Sequence, residues 1–357
     1  MVELEKLLIR PEHSIREAMV HIDRSGQGIV LLVDPAGRLE ATITDGDIRR
    51  AILAGVNLDT SIAELIVHRN ETLGRKPVTA PQETTSEELL ELMQSKGVSQ
   101  LPLLDKHGRV VGLSTLAELV PEQALPVQAV IMAGGFGKRL RPLTDDTPKP
   151  MLPIAGRPLM ERTIERLRRA GIQRINITTH YKPEIIKAHF GGGEDFGVEL
   201  TYVAEDQPLG TAGSLGLVGQ TEQPLLVMNG DILTSVDFHA MLSFHQKHKA
   251  EMTVGVRQFD VEVPYGVVEA REGLVCRLRE KPKHNFLVNA GIYLLEPSLC
   301  RCIPDGQRYD MTDLIAKLLD EKRPVASFPI VEYWLDIGRH DDLQQAQKDA
   351  GKMRWAS

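Results

Sequence analysis

A buried strand that leads directly into a cationic, glycine-rich turn is the feature that most constrains this chain. The apolar residues 129–133 have the length and composition of a buried strand, and residues 134–139, with sequence GGFGKR, follow at once. Glycine lets backbone N–H groups approach an anion closely, and lysine and arginine neutralise its charge. The stretch therefore predicts a phosphate-binding turn at the end of a strand.

Two common phosphate motifs do not fit this turn. A Walker A loop requires glycine and then serine or threonine at positions that Met132 and Arg139 occupy. The dinucleotide-binding pattern requires a third glycine where Leu140 stands. The turn therefore belongs to another class of phosphate site.

The first third of the chain contains an internal repeat. Residues 33–38 (VDPAGR) align with residues 104–109 (LDKHGR), so the offset between Asp34 and Asp105 is 105 minus 34, or 71 residues. Each copy predicts a capped helix, a strand, a turn, a second strand and a helix that opens after a T-x-x-[DE] element. One copy is too small to bury a core alone, so we expect the two copies to pack face to face.

After residue 126 the pattern changes to alternating strands and helices, which predicts an α/β fold with a mostly parallel sheet. The expected segments are helices at 158–170, 183–189, 236–248 and 341–353, strands at 173–178, 198–203 and 225–228, and a strand-rich region at 252–295. The expected domains are a repeat pair at 1–122, with copies at about 1–60 and 72–122, a proline-bounded linker at 123–126 and an α/β domain at 127–351.

Composition excludes several classes of function. The 357 residues are 25% charged with a net charge of −7, which argues against a nucleic-acid-binding protein. The sequence lacks both an apolar run of the ~20 residues needed to span a bilayer and a signal-peptide core, so a cytoplasmic location is expected. The three cysteines lack CxxC spacing, so neither a disulfide framework nor structural zinc is indicated. We expect His245 and His248 to lie on a solvated helix face.

The glycine-rich turn belongs to a longer pattern that resembles a known family. Residues 134–144 match GGxGxRLxPLT, and residues 148–151 match PKPM, the signature of the sugar-1-phosphate nucleotidyltransferases. The resemblance implies a Rossmann-like, mostly parallel sheet and Mg²⁺-dependent transfer of a nucleotidyl group to a sugar 1-phosphate, with release of pyrophosphate. Nearly the whole chain resembles the GDP-mannose-pyrophosphorylase-like guanylyltransferases that carry CBS domains and activate glucosamine, mannose or heptose phosphates.

The resemblance also implies which residues form the site. The implied catalytic cations are Arg139, Lys149 and Lys281. The implied nucleotide-binding residues are Ala133, Gly134, Gly135, Gly137, Lys138, Glu205, Gly210 and Thr211. The implied sugar-phosphate-binding residues are Gly266, Glu280, Lys281 and Asn289. Asp231 follows an apolar strand and Asp336 an aromatic-rich one, and both match positions that hold Mg²⁺ in the resembled family.

The nucleotide base is expected to be guanine. A carboxylate such as Glu205 only accepts hydrogen bonds when ionised, which suits the adjacent N1–H and N2–H₂ donors of guanine. GTP is therefore the first choice, with UTP or TTP as the alternative.

The repeat resembles a pair of CBS domains, which commonly bind adenine nucleotides in the cleft between them. The residues that match the ligand-binding element are Thr44 and Asp47 in the first copy and Thr115 and Glu118 in the second. A purely structural or dimerising pair, with nothing bound, is an equal alternative.

Two other functions stay open from the sequence. One is a nucleotide-sensing regulator whose transferase domain binds ligand without turnover. The other is a transferase of the same fold that acts on choline phosphate or a similar non-sugar acceptor. A homo-oligomer is expected in either case.

Overall fold

The computed structural model describes residues 4–73, 76–119, 124–219 and 221–350. The first copy of the repeat contains β1 (Leu8–Ile9), α1 (Ile15–Ser25), β2 (Ile29–Val33), β3 (Leu39–Thr44), α2 (Asp45–Leu53) and α3 (Ile62–Leu73). The second contains β4 (Ala80–Pro81), α4 (Ser86–Lys96), β5 (Gln100–Leu104), β6 (Val110–Thr115) and α5 (Leu116–Leu119). In these described ranges, no helix has both the length and the apolar character needed to cross a membrane.

The two copies have the same fold at the predicted offset. In each, a short parallel strand and an antiparallel strand flank a central strand, in the orders β1-β2-β3 and β4-β5-β6. Ile29 pairs with Thr44, and Gln100 pairs with Thr115, so both partners differ by 71 residues. The first helix of each copy begins with a capping box, Ser14 with Glu17 and Thr85 with Glu88, which satisfies backbone N–H groups that a helix start leaves unpaired.

The two copies share a buried apolar cluster. Leu7, Ile29 and Leu31 of the first copy pack with Val110 and Leu113 of the second. Each copy thereby covers apolar surface that the other would leave in water. The expected face-to-face arrangement is therefore observed.

The remainder of the described chain forms a layered α/β unit. Its strands are β7 (Gln128–Met132), β8 (Pro153–Ile154), β9 (Arg157–Pro158), β10 (Arg174–Thr179), β11 (Glu199–Ala204), β12 (Leu225–Asn229), β13 (Ile232–Thr234), β14 (Met252–Glu262), β15 (Val267–Arg271), β16 (Leu274–Arg279), β17 (Lys283–Leu295), β18 (Val325–Pro329) and β19 (Trp334–Asp336). Its helices are α6 (Leu159–Arg169), α7 (Pro183–Phe190), α8 (Gly210–Gly213), α9 (Phe238–Lys247), α10 (Met311–Asp320) and α11 (His340–Ala350).

The main sheet of this unit is mixed, with a parallel half. Among the described residues it has seven strands in the order β11-β10-β7-β12-β17-β14-β18. The strands from β11 to β12 are all parallel, β17 runs antiparallel to both its neighbours, and β18 is parallel to β14. The predicted fold class, a Rossmann-like and mostly parallel sheet, is confirmed.

Helices cover both faces of the sheet because the strands are apolar on both sides. Ala129 and Ile131 of β7 pack against α6, α7 and α9, whereas Val130 between them packs against the opposite layer, which contains α10. The predicted helices agree closely with α6, α7, α9 and α11, and the strand-rich region forms β14 to β17. Residues 351–353 of the helix predicted at 341–353 lie outside the described residues. The domain boundaries remain a prediction.

The expectation for His245 was wrong. Its side chain is 1% exposed, with Nδ1 2.8 Å from Thr253 Oγ1 and Nε2 3.1 Å from Glu296 Oε1. His245 lies one turn after Met241 on the buried face of α9, and β14 supplies the hydroxyl that makes its burial tolerable. His248 is exposed, as expected.

Neighbouring leucines on α10 provide a test of this core. Leu318 is fully buried and Leu319 is 57% exposed. We expect Leu318→Ala to lower the free energy of unfolding by about 2–5 kcal/mol, because it leaves a cavity. The matched control, Leu319→Ala, should stay within about 0.5 kcal/mol of the unchanged protein. Urea-unfolding midpoints measure both, and equal midpoints would contradict this packing.

Candidate active site

The carboxyl ends of β7 and β12 bring two predicted motifs together. Met132 and Asn229, the last residues of these parallel strands, are paired. Just beyond them, the Gly230 N–H donates to the Met132 carbonyl at 2.8 Å. A Cβ at Gly230 would lie only 2.7 Å from that oxygen, so this close approach requires glycine. The glycine-rich turn and Asp231 therefore start from adjacent points.

One part of the glycine-rich turn is anchored by a hydrogen bond and by burial, and another part is exposed. Gly137 has φ +62°, and the Thr144 hydroxyl donates to its carbonyl at 2.9 Å. Leu140, in the helical turn Lys138–Leu140, is fully buried and anchors the segment. Gly135 and Lys138 are exposed, with the Lys138 ammonium 5.6 Å from the centre of the Phe136 ring. Exposed backbone and a nearby cation can receive an anionic ligand here.

Ala133 and Gly134, at the start of the turn, are less accessible to a ligand than Gly135 and Lys138. Ala133 is 1% exposed, and its N–H already donates to the Thr178 carbonyl at 3.0 Å. Gly134 lies against Glu205, since a Cβ at Gly134 would be 3.0 Å from Glu205 Oε1. The absence of a side chain at Gly134 therefore leaves room beside that carboxylate.

Asp231 immediately precedes β13, and Asp336 is the last residue of the neighbouring strand β19. β13 and β19 pair antiparallel, with Ile232 opposite Asp336, and the Ile337 N–H donates to the Asp231 carbonyl at 3.0 Å. Partial desolvation and then the negative charge of Asp231 raise the pKa of Asp336, while the Lys149 and Arg139 charges oppose that rise. The two carboxylates thus act on each other electrostatically.

Lys149 is mostly buried and forms an ion pair with Asp231. It lies in the helical turn Lys149–Met151, which the prolines of the PKPM segment help to shape. A buried ammonium needs an opposite charge, so this lysine is directed to the carboxylate pair.

The carboxylate pair fits a divalent cation that is shared with a phosphate-bearing ligand. Mg²⁺ is usually bound by one or two carboxylates together with phosphate oxygens and water. Within the described ranges, no three or more His, Cys, Asp and Glu side chains cluster as a metal site. Asp231 and Asp336 would therefore hold such an ion incompletely, and a ligand would complete the coordination.

The segment after β11 places Glu205 beside the glycine-rich turn. Glu205 is 9% exposed, and its Oε2 accepts a hydrogen bond from the Leu209 N–H at 3.1 Å. His180 Nδ1 lies 2.8 Å from the Glu205 carbonyl. The Leu209 contact holds the carboxylate with its other oxygen next to Gly134, and the His180 contact holds the backbone.

Gly210 and Thr211 are organised by Asp310, a residue that the sequence analysis missed. Asp310 Oδ1 accepts the Thr211 N–H at 3.0 Å, and the Met311 N–H donates to Thr211 Oγ1 at 2.8 Å. A Cβ at Gly210 would be 2.5 Å from the same Asp310 oxygen. The available signal was the D-x-x-D spacing of Asp310 and Asp313, which forms a capping box at α10.

The predicted sugar-phosphate residues lie in two places. Gly266 and Glu280 are adjacent at the open end of the β15–β16 hairpin, where a Cβ at Gly266 would be 3.0 Å from Glu280 Oε2. Lys281 follows with φ +41° and is exposed. Asn289 Oδ1 accepts the Gly291 N–H at 2.9 Å, and a Cβ at Gly291 would be 2.5 Å from Asn229 Nδ2. This part of β17 therefore borders Asn229 at the end of β12, two residues before Asp231.

The predicted CBS ligand residues form helix caps in this structure. The Thr44 hydroxyl and N–H both donate to Asp47 Oδ2, at 2.8 and 2.9 Å. The Thr115 N–H donates to Glu118 Oε2 at 3.2 Å, so the longer acid serves the same cap. Capping accounts for all four side chains locally, and their ligand role stays a prediction.

A second arginine, Arg339, lies beside Arg139 and was also missed. An open groove of about 400 Å³ is lined by Arg139, Arg339, His340 and Asp341. The Arg139 guanidinium lies about 3.5 Å from where a Cβ at Gly338 would be, so it reaches the loop that follows Asp336. The groove suits an extended anion because two guanidinium groups border it.

Two glycines of the turn provide a matched test of its geometry. Gly137→Ala should lower the free energy of unfolding by about 2 kcal/mol, since φ is positive and the new Cβ would meet Thr144 Cγ2 at 2.9 Å. Gly135→Ala should stay within about 0.5 kcal/mol, because nothing lies within 4 Å of its Cβ position. Thermal and urea unfolding of both variants decide the point, and equal losses would contradict it.

Comparison with known proteins places the chain in a family. The family model described as nucleotidyl transferase matches residues 128–352, and the CBS domain model matches residues 71–123. The chain is 34% identical over 230 residues to a mannose-1-phosphate guanylyltransferase of Mycobacterium tuberculosis, covering 62% of this chain and 64% of that protein. It is 32% identical over 227 residues to the D-glycero-alpha-D-manno-heptose 1-phosphate guanylyltransferase of Aneurinibacillus thermoaerophilus, covering 62% of this chain and 98% of that enzyme.

A solved structure agrees with the sequence matches. HddC of Yersinia pseudotuberculosis superposes with a TM-score of 0.50 at 25% identity, covering 63% of this chain and 99% of HddC. The chain thus spans just under two thirds of the M. tuberculosis relative but nearly the whole of the heptose enzyme and HddC. From the family match and these relatives, we conclude that the chain belongs to the nucleotidyl transferase family and carries a CBS domain ahead of the transferase part.

Proposed function

We propose that this protein transfers GMP from GTP to a sugar 1-phosphate, giving a GDP-sugar and pyrophosphate, with Mg²⁺ as the cofactor. The observation that carries the proposal is the convergence of the glycine-rich turn, Lys149, Asp231 and Asp336 at one end of the parallel strands. The carboxyl ends of parallel strands are where ligands bind in open α/β sheets.

In the proposed reaction, a phosphate oxygen of the sugar 1-phosphate bonds to the α-phosphorus of GTP. The bond from that phosphorus to the oxygen that bridges to the β-phosphate breaks, and pyrophosphate leaves with the electron pair. The attacking phosphate is already an anion at neutral pH, so the step requires positioning and charge neutralisation rather than a general base.

The cations of the site have distinct proposed roles. The exposed N–H groups around Gly135, with Lys138 and Arg139, would bind the β- and γ-phosphates. Lys149, buried against Asp231, would reach toward the α-phosphate once its carboxylate partner is shared with a ligand. Mg²⁺ bound at Asp231 and Asp336 would neutralise charge on the polyphosphate and orient it.

The proposed choice of guanine depends on Glu205. The Leu209 N–H occupies one carboxylate oxygen, and the other borders the open space at Gly134. A carboxylate held in place as an acceptor suits the N–H donors on the guanine edge. The names of the two relatives, both guanylyltransferases, support the same base.

The acceptor is proposed to be a hexose or heptose 1-phosphate, in line with those relatives. Lys281 and Glu280 would bind its phosphate group, and Asn289 with Gly266 would border the sugar.

The repeat pair is proposed to bind an adenine nucleotide between its two copies, through Thr44, Asp47, Thr115 and Glu118. A homo-oligomer is part of the same proposal.

The decisive experiment is pyrophosphate release from the full-length protein. The assay contains Mg²⁺ and one nucleotide at a time: GTP, UTP, TTP, CTP or ATP. Each nucleotide is tested with the 1-phosphates of mannose, glucosamine and heptose, and with choline phosphate. Release with GTP and one sugar 1-phosphate is expected. If no combination releases pyrophosphate, with or without added AMP or ATP, the enzymatic proposal is overturned in favour of a regulator that binds ligand without turnover.

Replacing either candidate metal ligand tests the Mg²⁺ assignment. Asp231→Asn and Asp336→Asn should each lower kcat by about 10²- to 10³-fold, because a neutral amide binds the cation poorly and several kcal/mol of charge stabilisation are lost. Asp305→Asn, at an exposed aspartate, is the control. Mg²⁺-dependent turnover near the unchanged rate in both site variants would contradict the assignment.

Replacing Glu205 tests the base assignment. Glu205→Gln should lower kcat/KM for GTP about 100-fold, because an amide cannot accept from both guanine donors, while activity with UTP or TTP should fall far less. Glu199→Gln, at an exposed carboxylate on β11, the strand that precedes Glu205, is the control. An unchanged ratio of GTP to UTP activity would exclude Glu205 as the base-recognising residue.

A further inference from the structure

One buried arginine of the first repeat contacts the segment that connects β18 to β19, the strand that ends at Asp336. Arg49 lies on α2 and is 4% exposed. Its guanidinium donates to the Pro329 carbonyl at 3.0 Å and to Glu332 Oε1 at 2.7 Å, and it also pairs with Asp45. The ring centre of Phe328 lies 4.3 Å from the guanidinium carbon. A charge this buried is tolerated because each of its three nitrogens has an acceptor.

Glu332, the partner of Arg49, also binds backbone groups of its own domain. Its Oε1 accepts the Asp237 N–H and its Oε2 accepts the Val331 N–H, both at 3.0 Å. Arg257 donates to the carbonyls of Ile330 and Glu332, both at 2.8 Å. Val331 also packs in the apolar core of the first repeat. The segment between β18 and β19 is therefore held from the repeat side as well as from its own domain.

A second contact reaches the same place from α1. Asp23 Oδ1 accepts the Ser235 hydroxyl at 2.8 Å and the Tyr333 N–H at 2.9 Å. The Ser235 N–H in turn donates to the Tyr333 carbonyl at 3.0 Å. Asp23 thus joins the residue after β13 to the residue before β19.

These contacts lie at one end of the β13–β19 pair, and the candidate metal ligands lie at the other. Asp231 immediately precedes β13, and Asp336 is the last residue of β19. A ladder of only three residue pairs is too short to be stable alone, so its position depends on what holds its ends. The first repeat holds the end opposite the carboxylates.

We infer that Arg49 and Asp23 are positioning residues that set the geometry of Asp231 and Asp336 through the β13–β19 pair. The first repeat is then a structural part of the active site rather than an appended module. The hydroxyl of Thr44 caps the helix that carries Arg49, so a change at that cap acts on the same contact. The kinetic part of this inference rests on the proposed Mg²⁺-dependent transfer, and the structural part does not.

Hydrogen exchange in the ligand-free, full-length protein tests the structural part. The informative amides are those of Leu335 and Ile337, which lie beyond the segment 329–333 that Arg49 and Asp23 bind. Arg49→Gln and Asp23→Ala should each speed exchange at these amides about tenfold or more, because the end of the pair is released. Arg24→Gln, at an exposed arginine beside Asp23, is the control.

Metal dependence tests the functional part. In Arg49→Gln and Asp23→Ala, the Mg²⁺ concentration for half-maximal rate should rise about 10- to 100-fold, as is typical when residues supporting metal ligands are removed. The same shift should appear in direct Mn²⁺ titrations, which need no turnover. KM for the sugar 1-phosphate should change much less, and Arg49→Lys, which keeps the charge, should recover part of the loss.

The possible outcomes separate the two proposals. Unchanged exchange at Leu335 and Ile337, with an unchanged Mn²⁺ midpoint, would overturn the inference even if the enzyme is active. Faster exchange and weaker Mn²⁺ binding would support it even if the unchanged protein transfers no nucleotide. Arg49→Gln could fail to fold, because Glu332 would lose its cationic partner. In that case Asp23→Ala, which leaves no buried charge without its partner, tests the inference.

Discussion

The site depends on the parallel pairing of β7 with β12. Because Met132 lies opposite Asn229, the turn after one strand and the carboxylate after the other must emerge side by side. The pairing is buried on both faces, and each fully buried aliphatic side chain contributes about 1.5–3 kcal/mol relative to exposure. The chemistry of the site therefore rests on an apolar sheet that carries no functional group itself.

Buried charges then give that apolar framework its specific geometry. Lys149, Glu205 and Arg49 are each less than one tenth exposed, and each has a designated partner: Asp231, the Leu209 N–H and Glu332. An unpaired buried charge is far more costly than a misplaced apolar group, so these contacts admit few alternative arrangements. The same rule links the segment before β19 to the repeat, because without it Arg49 would lose its acceptors at Pro329 and Glu332.

Features set by local pattern were predictable. The offset of 71 residues recurs in the strand registers of both repeats, and the predicted helix at 158–170 is α6 at Leu159–Arg169. The family resemblance, drawn from the glycine-rich turn and the PKPM segment, is confirmed by the family match. The roles assigned to individual site residues and the domain boundaries stay predictions. His245 was assigned wrongly because helical spacing alone does not identify the neighbour that covers a polar residue.

The sequence by itself determined the elements, the repeat and the positions of Asp231 and Asp336 just after or at the end of strands, because periodicity, capping and glycine content act over a few residues. Only the tertiary structure decided which distant groups meet. Asp310 with Thr211, Arg139 with the loop at Gly338, and Arg49 with Glu332 are separated by 99, about 200 and 283 residues. The partners in these contacts lie far apart in the sequence, and no local pattern specifies them.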